Sequence, residues 1–172
     1  MEDIQEVPVD EQLIISRYID NPLLLNGLKF DLRVYVMVTS FEPLRIYVYN
    51  EGLARFASEP YHHPGTTKES KYAQLTNYSI NKRNEKFVQN LLGSYEDETK
   101  THKWSFSTLS KHLESLGVDL DLLWSRIYDV IIKSLLSIDP VIITNFKRIG
   151  FDKGLSCFEL FGFDILIDSN LK

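Results

Sequence analysis

The chain of 172 residues is 44% hydrophobic and 25% charged, which is typical of a globular domain long enough to bury one sizeable core. Its formal net charge of −5 argues against a nucleic-acid-binding protein, because such proteins normally carry a basic stripe. Cys157 is the only cysteine, so an internal disulfide is excluded and a reducing, cytoplasmic compartment is favoured. An acidic N-terminus and the lack of any run of about 18 apolar residues predict neither a signal peptide nor a membrane partner.

The first part of the chain predicts a lead-in followed by strands. Residues 1–10 are acidic and contain a proline, so we expect them to lie outside the core. Residues 13–19 form a short β-branched run, typical of a strand, which ends at Asp20-Asn21-Pro22. Asn26-Gly27 predicts a tight connection to the next strand.

Residues 29–38 alternate between two kinds of side chain, as in a strand with one buried face. Lys29, Asp31 and Arg33 share one face, roughly 6–7 Å from one to the next. The apolar residues of the other face are Phe30, Leu32, Val34, Val36 and Val38. A row of cation, anion and cation suits a triphosphate, its ribose and a carboxylate substrate. The alternative is a solvated face with weak ion pairs, worth about 0–1 kcal/mol each.

Two further runs rich in β-formers, 44–49 and 53–57, are separated by a predicted turn at Asn50-Glu51-Gly52. With the preceding strand they predict an antiparallel meander. Arg55 lies in the last run beside small residues, and its guanidinium is suited to bidentate phosphate contact. The alternative is a solvent-facing arginine on an edge strand.

Residues 58–101 predict a long irregular connection, and such connections are usually functional or partly disordered. Within it, Thr76 and Asn77 offer a hydroxyl and an amide for phosphate or metal contact, unless this is an ordinary loop. The four histidines of the chain lack the spacing or cysteine partners of a zinc site, so we predict none.

Two helices and a strand are predicted for the rest of the chain. Helical spacing of apolar residues begins at Ser105 and stops at Gly117. Asp119 can cap a second helix, which we expect to be largely buried and to end or kink at Asp139-Pro140. Residues 157–167 are typical of a strand followed by a turn.

Asp164 lies between Phe163 and Ile165 in this last, mostly apolar run. A buried carboxylate has to be paired, hydrogen-bonded or bound to a metal, because burial of a lone charge is costly. Mg²⁺ prefers one or two carboxylates together with substrate phosphates. Asp164 is therefore either a Mg²⁺ ligand or the partner of Lys29 or Arg33 in a structural salt bridge.

Five segments, in order along the chain, resemble the tubulin tyrosine ligase-like family, nearest to its glutamate-adding members. The segments are Ser-Arg-Tyr-Ile-Asp-Asn-Pro at 16–22, Lys-Phe-Asp-Leu-Arg-Val-Tyr-Val at 29–36, Gly-Leu-Ala-Arg-Phe-Ala at 52–57, Leu-Thr-Asn-Tyr-Ser at 75–79 and Phe-Glu-Leu-Phe-Gly-Phe-Asp-Ile-Leu-Ile-Asp at 158–168. The resemblance implies an α+β, ATP-grasp-like fold, an antiparallel sheet with packed helices. Residues 1–172 would be its central and C-terminal part, incomplete because the N-terminal lobe and the C-terminal metal-binding strand are missing.

The resemblance also implies ATP and Mg²⁺ as cofactors. Arg17, Tyr18 and Ile19 would form the hinge that receives adenine, largely through backbone groups. Lys29 and Asp31 would face the nucleotide, with Asp31 toward the ribose.

At the other end of the nucleotide, the resemblance implies catalytic roles for two arginines. Arg55 would hold the terminal phosphate and Arg33 would lie at the substrate end. Thr76 and Asn77 would line the same site, and Asp164 would be the Mg²⁺ ligand.

The implied activity is ligation of free glutamate to glutamate side chains of tubulin tails, or of another glutamate-rich acceptor, through an acyl phosphate. The implied location is the cytoplasm, at the cytoskeleton, including a cilium or basal body. Gln74 stands where the family usually has histidine, which leaves the role of that side chain open. Because segments are missing, we expect this polypeptide alone to be inactive. The alternative is a truncated, inactive homologue that only binds nucleotide or a partner.

Overall fold

The structure is a computed structural model that describes residues 12–63, 65, 70–90, 97–150 and 157–172. The predicted lead-in at residues 1–10 lies outside the described residues. The elements are β1 (Leu24–Leu25), β2 (Leu28–Phe41), β3 (Leu44–Phe56), α1 (Lys71–Gln74), α2 (Tyr78–Asn81), a 3₁₀ turn (Glu98–Lys100), β4 (Lys103–Ser105), α3 (Phe106–Ser115), α4 (Leu120–Arg148) and β5 (Glu159–Ile165).

The strands of the described residues form an antiparallel sheet organised around β2. β3 pairs with one edge of β2, and β4 pairs with the far edge of β3. β1 and β5 lie one after the other along the opposite edge of β2. The turn from β1 to β2 has positive φ at both Asn26 (53°) and Gly27 (74°), a conformation that these two residue types favour in tight hairpins. The predicted connection is confirmed.

The core lies between one face of the sheet and helices α3 and α4. The predicted apolar face of β2 is confirmed, since its five residues are at most 1% exposed. Helical residues with at most 3% exposure complete the core: Phe106, Leu109, Leu113, Leu123, Ile127, Ile131 and Leu135. The opposite face of the sheet carries the charged residues of β2 and is not covered by these helices.

The predicted turn at Asn50-Glu51-Gly52 is wrong, because β3 runs as one strand from Leu44 to Phe56. Both halves of β3 pair with the long strand β2, and the register shifts between Val34 and Val36, where three residues of β3 lie opposite one of β2. The turn-forming residues therefore make a bulge. Gly52 is required there, because a Cβ would lie 2.5 Å from the carbonyl oxygen of Arg33.

The strand predicted at residues 13–19 is absent from the structure. Residues 12–19 have no regular secondary structure, and their side chains are exposed. A β-branched run forms a strand only where a sheet edge is available, and β1 and β5 already occupy that edge of β2.

Of the two outcomes predicted for helix α4 at Asp139-Pro140, an end or a kink, the structure excludes the end. Asp119 caps the helix as predicted, accepting a hydrogen bond from the Leu122 N–H at 3.0 Å. It does not end at Pro140 but continues to Arg148. Packing of Ile142 and Phe146 against the core holds its last turns, although Pro140 removes a backbone hydrogen bond.

The same helix buries only one stripe, so the expectation that it is largely buried is wrong. Val130, Leu136 and Val141 are 49%, 51% and 62% exposed, because among the described residues only the face of α4 toward the sheet packs against the core. In the described parts of the chain, no helix is both long and apolar enough to cross a bilayer.

Candidate active site

Four charged side chains form a continuous ion-pair network on the open face of the sheet: Asp31 and Arg33 of β2, Arg55 of β3 and Asp164 of β5. Strand register explains the contacts, since Asp31 lies opposite Arg55 and Arg33 lies opposite Asp164. Nε of Arg55 donates to Oδ1 of Asp31 at 2.9 Å, and its Nη2 contacts Oδ2 of the same carboxylate. Nε of Arg33 donates to Oδ1 of Asp164 at 2.5 Å.

One guanidinium joins the two pairs into a single network. Nη2 of Arg55 also lies 3.0 Å from Oδ2 of Asp164, which accepts in addition from Nη2 of Arg33 at 3.1 Å. The network has a buried half and an open half. The side chains of Asp31 and Arg55 are both 12% exposed, whereas those of Arg33 and Asp164 are 31% and 46% exposed.

Hydrogen bonds within the network favour the charged forms of Asp164, Arg33 and Arg55. Burial opposes the charged form of Asp164, but hydrogen bonds from Arg33 and Arg55 outweigh it and hold the pKa of Asp164 below its usual value. The hydrogen bond to Asp31 raises the pKa of Arg55, and the hydrogen bond to Asp164 raises the pKa of Arg33. Two cations and two anions therefore balance each other.

Gly162 of β5 makes room for the Arg33 side chain. A Cβ at this position would lie 3.0 Å from Cδ and 3.3 Å from Nε of Arg33. Any larger residue would push the guanidinium away from Asp164. Gly162 is not among the predicted site residues, because nothing in the sequence alone places it beneath an arginine of another strand.

Lys29 lies beside the network, in a cluster of aromatic and amide groups. It is 7% exposed, and its Nζ lies 3.2 Å from the hydroxyl of Tyr18. The same ammonium lies 4.9 Å from the ring centre of Tyr18 and 5.9 Å from that of Tyr61. Gln74 accepts a hydrogen bond from the Tyr18 hydroxyl. No described carboxylate pairs with Lys29, so its charge is available to an anion.

Of the three predicted hinge residues, Tyr18 lies in this cluster and the other two do not. Tyr18 contacts Lys29, but Arg17 and Ile19 are exposed and make no hydrogen bond or ion pair with the other predicted site residues in the described ranges. Burial and the neighbouring Tyr18 hydroxyl raise the pKa of Tyr61, which donates to the backbone carbonyl of Asp20 at 2.9 Å. This bond fixes the end of the hinge segment.

The loop with Thr76 and Asn77 is held in place by Asn81, which the sequence analysis missed. Asn81 is fully buried, and its Oδ1 accepts from the Ser58 N–H at 2.9 Å. Its Nδ2 donates to the carbonyls of Leu75 at 2.7 Å and of Asn77 at 3.1 Å. Thr76 is 9% exposed and faces the same cavity as Arg33 and Arg55, whereas the Asn77 side chain is exposed. An asparagine in a polar loop carries no sequence signal for this role.

The predicted Mg²⁺ ligand at this site is a single protein carboxylate, that of Asp164. The described residues contain no group of three or more histidine, cysteine or acidic side chains that could hold a metal by themselves. Oδ1 of Asp164 accepts only from Arg33 within the network, which leaves a lone pair on a half-exposed oxygen. Mg²⁺ commonly takes one or two carboxylates and completes its shell with phosphates and water. The Asp164 carboxylate has the donor chemistry for that arrangement.

The fold and the site together define a class of protein. The family model of the tubulin-tyrosine ligase family matches residues 1–172, and the chain belongs to this family. The resemblance predicted from the sequence is confirmed, as is the α+β, ATP-grasp-like fold class with an antiparallel sheet and packed helices.

Three similar relatives are named tubulin-glutamylating enzymes. The chain is 48% identical to tubulin polyglutamylase ttll-5 of Caenorhabditis elegans, over 97% of this chain and 23% of the relative. It is 42% identical to tubulin monoglutamylase TTLL4 of Mus musculus, over 97% of this chain and 14% of the relative. It is also 42% identical to tubulin polyglutamylase TTLL5 of Homo sapiens, over 97% of this chain and 13% of the relative. The chain thus spans less than a quarter of each.

Proposed function

We propose that the chain forms part of the catalytic centre of an ATP- and Mg²⁺-dependent ligase that adds glutamate to glutamate side chains of tubulin tails. The proposed location is the cytoskeleton, including a cilium or basal body. The names of the relatives support tubulin and glutamate as substrates. The ion-pair network carries the proposal, because its two arginines lie near the buried Lys29, which pairs with no described carboxylate.

In the proposed reaction, the γ-phosphoryl group of ATP passes to the carboxylate of an acceptor glutamate, and ADP leaves. The amine of free glutamate then attacks the acyl carbon, the amide bond forms, and phosphate leaves. Phosphoryl transfer depends chiefly on positioning and on stabilising charge on the phosphoryl oxygens. A compact group of cations stabilises the charge, and the rigid sheet that carries these cations positions the reacting groups.

In this proposal, different residues of the chain bind the phosphates, the ribose and the acceptor carboxylate. Lys29 and Arg55 neutralise the phosphates, and Asp31 holds the guanidinium of Arg55 by two hydrogen bonds. The remaining lone pairs of Asp31 can accept from the ribose hydroxyls. Arg33 holds the acceptor carboxylate at the open end of the network, where its side chain is more exposed than that of Arg55.

Further residues surround the nucleotide in this proposal. The backbone of Arg17, Tyr18 and Ile19 contacts adenine, and Thr76 and Asn77 approach from the loop held by Asn81. Asp164 would hold Mg²⁺, which would neutralise charge on the phosphates.

Glutamate incorporation tests the proposal. We expect the complete gene product to incorporate labelled glutamate into microtubules only with Mg·ATP. Arg55→Gln should lower the rate by about 100-fold or more, the usual loss when one charge-stabilising donor is removed. Arg45→Gln, an exposed arginine on the same strand, is the matched control and should change the rate less than about twofold.

The alternative of an inactive, binding homologue predicts a different pattern. In that case the complete gene product would incorporate no glutamate, which contradicts the proposed function. A nucleotide-binding domain would then be indicated if Mg·ATP raised the melting temperature of the 172-residue chain. Lys29→Met should make this increase smaller.

A further inference from the structure

A small cavity adjoins the ion-pair network on the side of β4. Its volume is about 190 Å³, and it is lined by Arg33, Leu53, Arg55, Thr76, Tyr78, Phe87, His102 and Lys103. Pockets for drug-sized ligands are about 300–1,000 Å³, so this one suits an amino acid better than a nucleotide. Its lining combines the aromatic rings of Tyr78, Phe87 and His102 with cationic side chains, which favours a short apolar chain that ends in an anion.

Lys103 supplies charge that the network does not balance. It lies opposite Arg55 in the register of β3 and β4, so the two side chains share a face of the sheet. Arg33 and Arg55 are compensated by Asp31 and Asp164. Lys103 is exposed and forms no ion pair with any residue that the structure describes. The cavity therefore carries a net positive charge at its β4 side.

His102 contributes a neutral donor to the same wall. Its Nδ1 accepts a hydrogen bond from the Val88 N–H at 2.9 Å, which places the proton of the neutral ring on Nε2. The ring stacks on Phe87, with 5.3 Å between ring centres. The backbone N–H of His102 also donates to the backbone carbonyl of Val88 at 3.0 Å, which fixes the position of His102 next to Lys103.

We infer that this cavity holds the side chain of the free amino-acid substrate, and that Lys103 selects glutamate by pairing with its γ-carboxylate. The inference rests on the proposed function. Tyr78 and Phe87 pack against the methylene groups, and His102 positions Phe87. Arg33 and Arg55 line the same cavity and would face the reacting groups.

Kinetics of the complete gene product test the role of Lys103. Lys103→Met should raise KM for glutamate about tenfold, a loss of about 1.4 kcal/mol, with KM for ATP changed less than twofold. Lys103→Arg should restore most of the affinity. The control is Lys111→Met, an exposed lysine on α3, which should alter neither constant. An unchanged KM for glutamate, or an equal rise in both constants, would overturn the inference.

A second measurement does not depend on activity. Acetylation of the 172-residue chain by an amine-reactive reagent, followed by mass spectrometry, reports the accessibility of each lysine. We expect glutamate to slow modification of Lys103 but not of Lys111, and glutamine, which lacks the charge, to have little effect. Equal protection by glutamine, or no protection, would overturn the inference even if glutamate incorporation is observed. Protection without incorporation would support the cavity and contradict the proposed function.

Discussion

At the residue scale, the position of Arg55 depends on two carboxylates from two other strands. Asp31 binds it by two hydrogen bonds inside the sheet, and Asp164 contacts the same Nη2 from the open side. Removal of one partner from a buried ion pair leaves an uncompensated charge, which costs far more than loss of an exposed pair. The buried half of the network is therefore a structural requirement as well as a proposed binding group.

We expect Asp31→Asn to lower the free energy of unfolding by about 1–3 kcal/mol, because Arg55 keeps only its contact with Asp164. Urea unfolding followed by circular dichroism measures the loss. The control is Asp129→Asn in the exposed pair with Lys133 on α4, which should cost less than about 0.5 kcal/mol. Equal losses in the two variants would contradict a special role for the buried pair.

The depressed pKa of Asp164 predicts a dependence of stability on pH. Because the folded pKa lies below the unfolded value of about 3.9, its stabilising contribution is present above that value. The contribution is lost as pH falls through the folded pKa, since the unfolded state then binds more protons. Between about pH 5 and pH 2, we expect the free energy of unfolding to fall less for Asp164→Asn than for the parent chain. Urea unfolding at each pH measures both values.

Other carboxylates with lowered pKa, such as Glu59 and Asp168, remain in both proteins of this comparison. The difference between the two pH profiles therefore isolates Asp164. Parallel profiles would show that its pairing with the arginines contributes nothing to stability.

At the element scale, the long strand β2 organises the site. β3 and β5 both pair with it, so their charged residues align with its own at register positions 31/55 and 33/164. Between the paired positions 34/52 and 36/48, β3 has more residues than β2, and the bulge accommodates this difference. Beyond the bulge, Leu53 and Arg55 pair with β2 again and lie on the open face of the sheet. Gly52 makes this bulge possible by packing tightly under Phe106 of α3.

Gly52→Ala should destabilise the chain by about 1–3 kcal/mol, because its Cβ would clash with a backbone carbonyl and a buried ring, neither of which can move freely. Gly162→Ala is the comparison, since its Cβ meets only the flexible side chain of Arg33. We expect the second variant to cost less than about 1 kcal/mol in the same unfolding assay. A larger loss in Gly162→Ala would contradict this account of the bulge.

At the scale of the whole molecule, one face of the sheet packs into the apolar core and the other face carries the ion-pair network. Helices α3 and α4 cover the apolar face, and the described loop residues Thr76, Tyr78 and Phe87 line the cavity beside the charged face. Asn81 joins this loop to the end of β3 through Ser58. The loop is thus attached to the rigid sheet by buried hydrogen bonds and not by apolar packing alone.

Asn81→Ala should loosen the loop while leaving the sheet intact, because the Leu75 carbonyl loses the amide donor and the Ser58 N–H keeps only the Tyr72 carbonyl. Hydrogen exchange should show reduced protection at residues 75–81 and unchanged protection in β2. Asn145→Ala, whose exposed side chain bonds only to the Val141 carbonyl within α4, is the control. Uniform loss of protection in Asn81→Ala would indicate global destabilisation instead.

Local sequence pattern by itself determined the two faces of β2, the Asn26-Gly27 turn, the Asp119 cap and the family, because each depends on neighbours along the chain. Only the tertiary structure decided that residues 50–52 form a bulge and not a turn, and that residues 13–19 pair with no strand of the described sheet. It also decided that α4 continues past Pro140. The pairing of Asp164 with both arginines and the placement of Lys103 beside Arg55 also depend on register between strands far apart in sequence. The physical reason is that strand pairing and packing compete with local preference, and contacts made over long sequence separations determine the result.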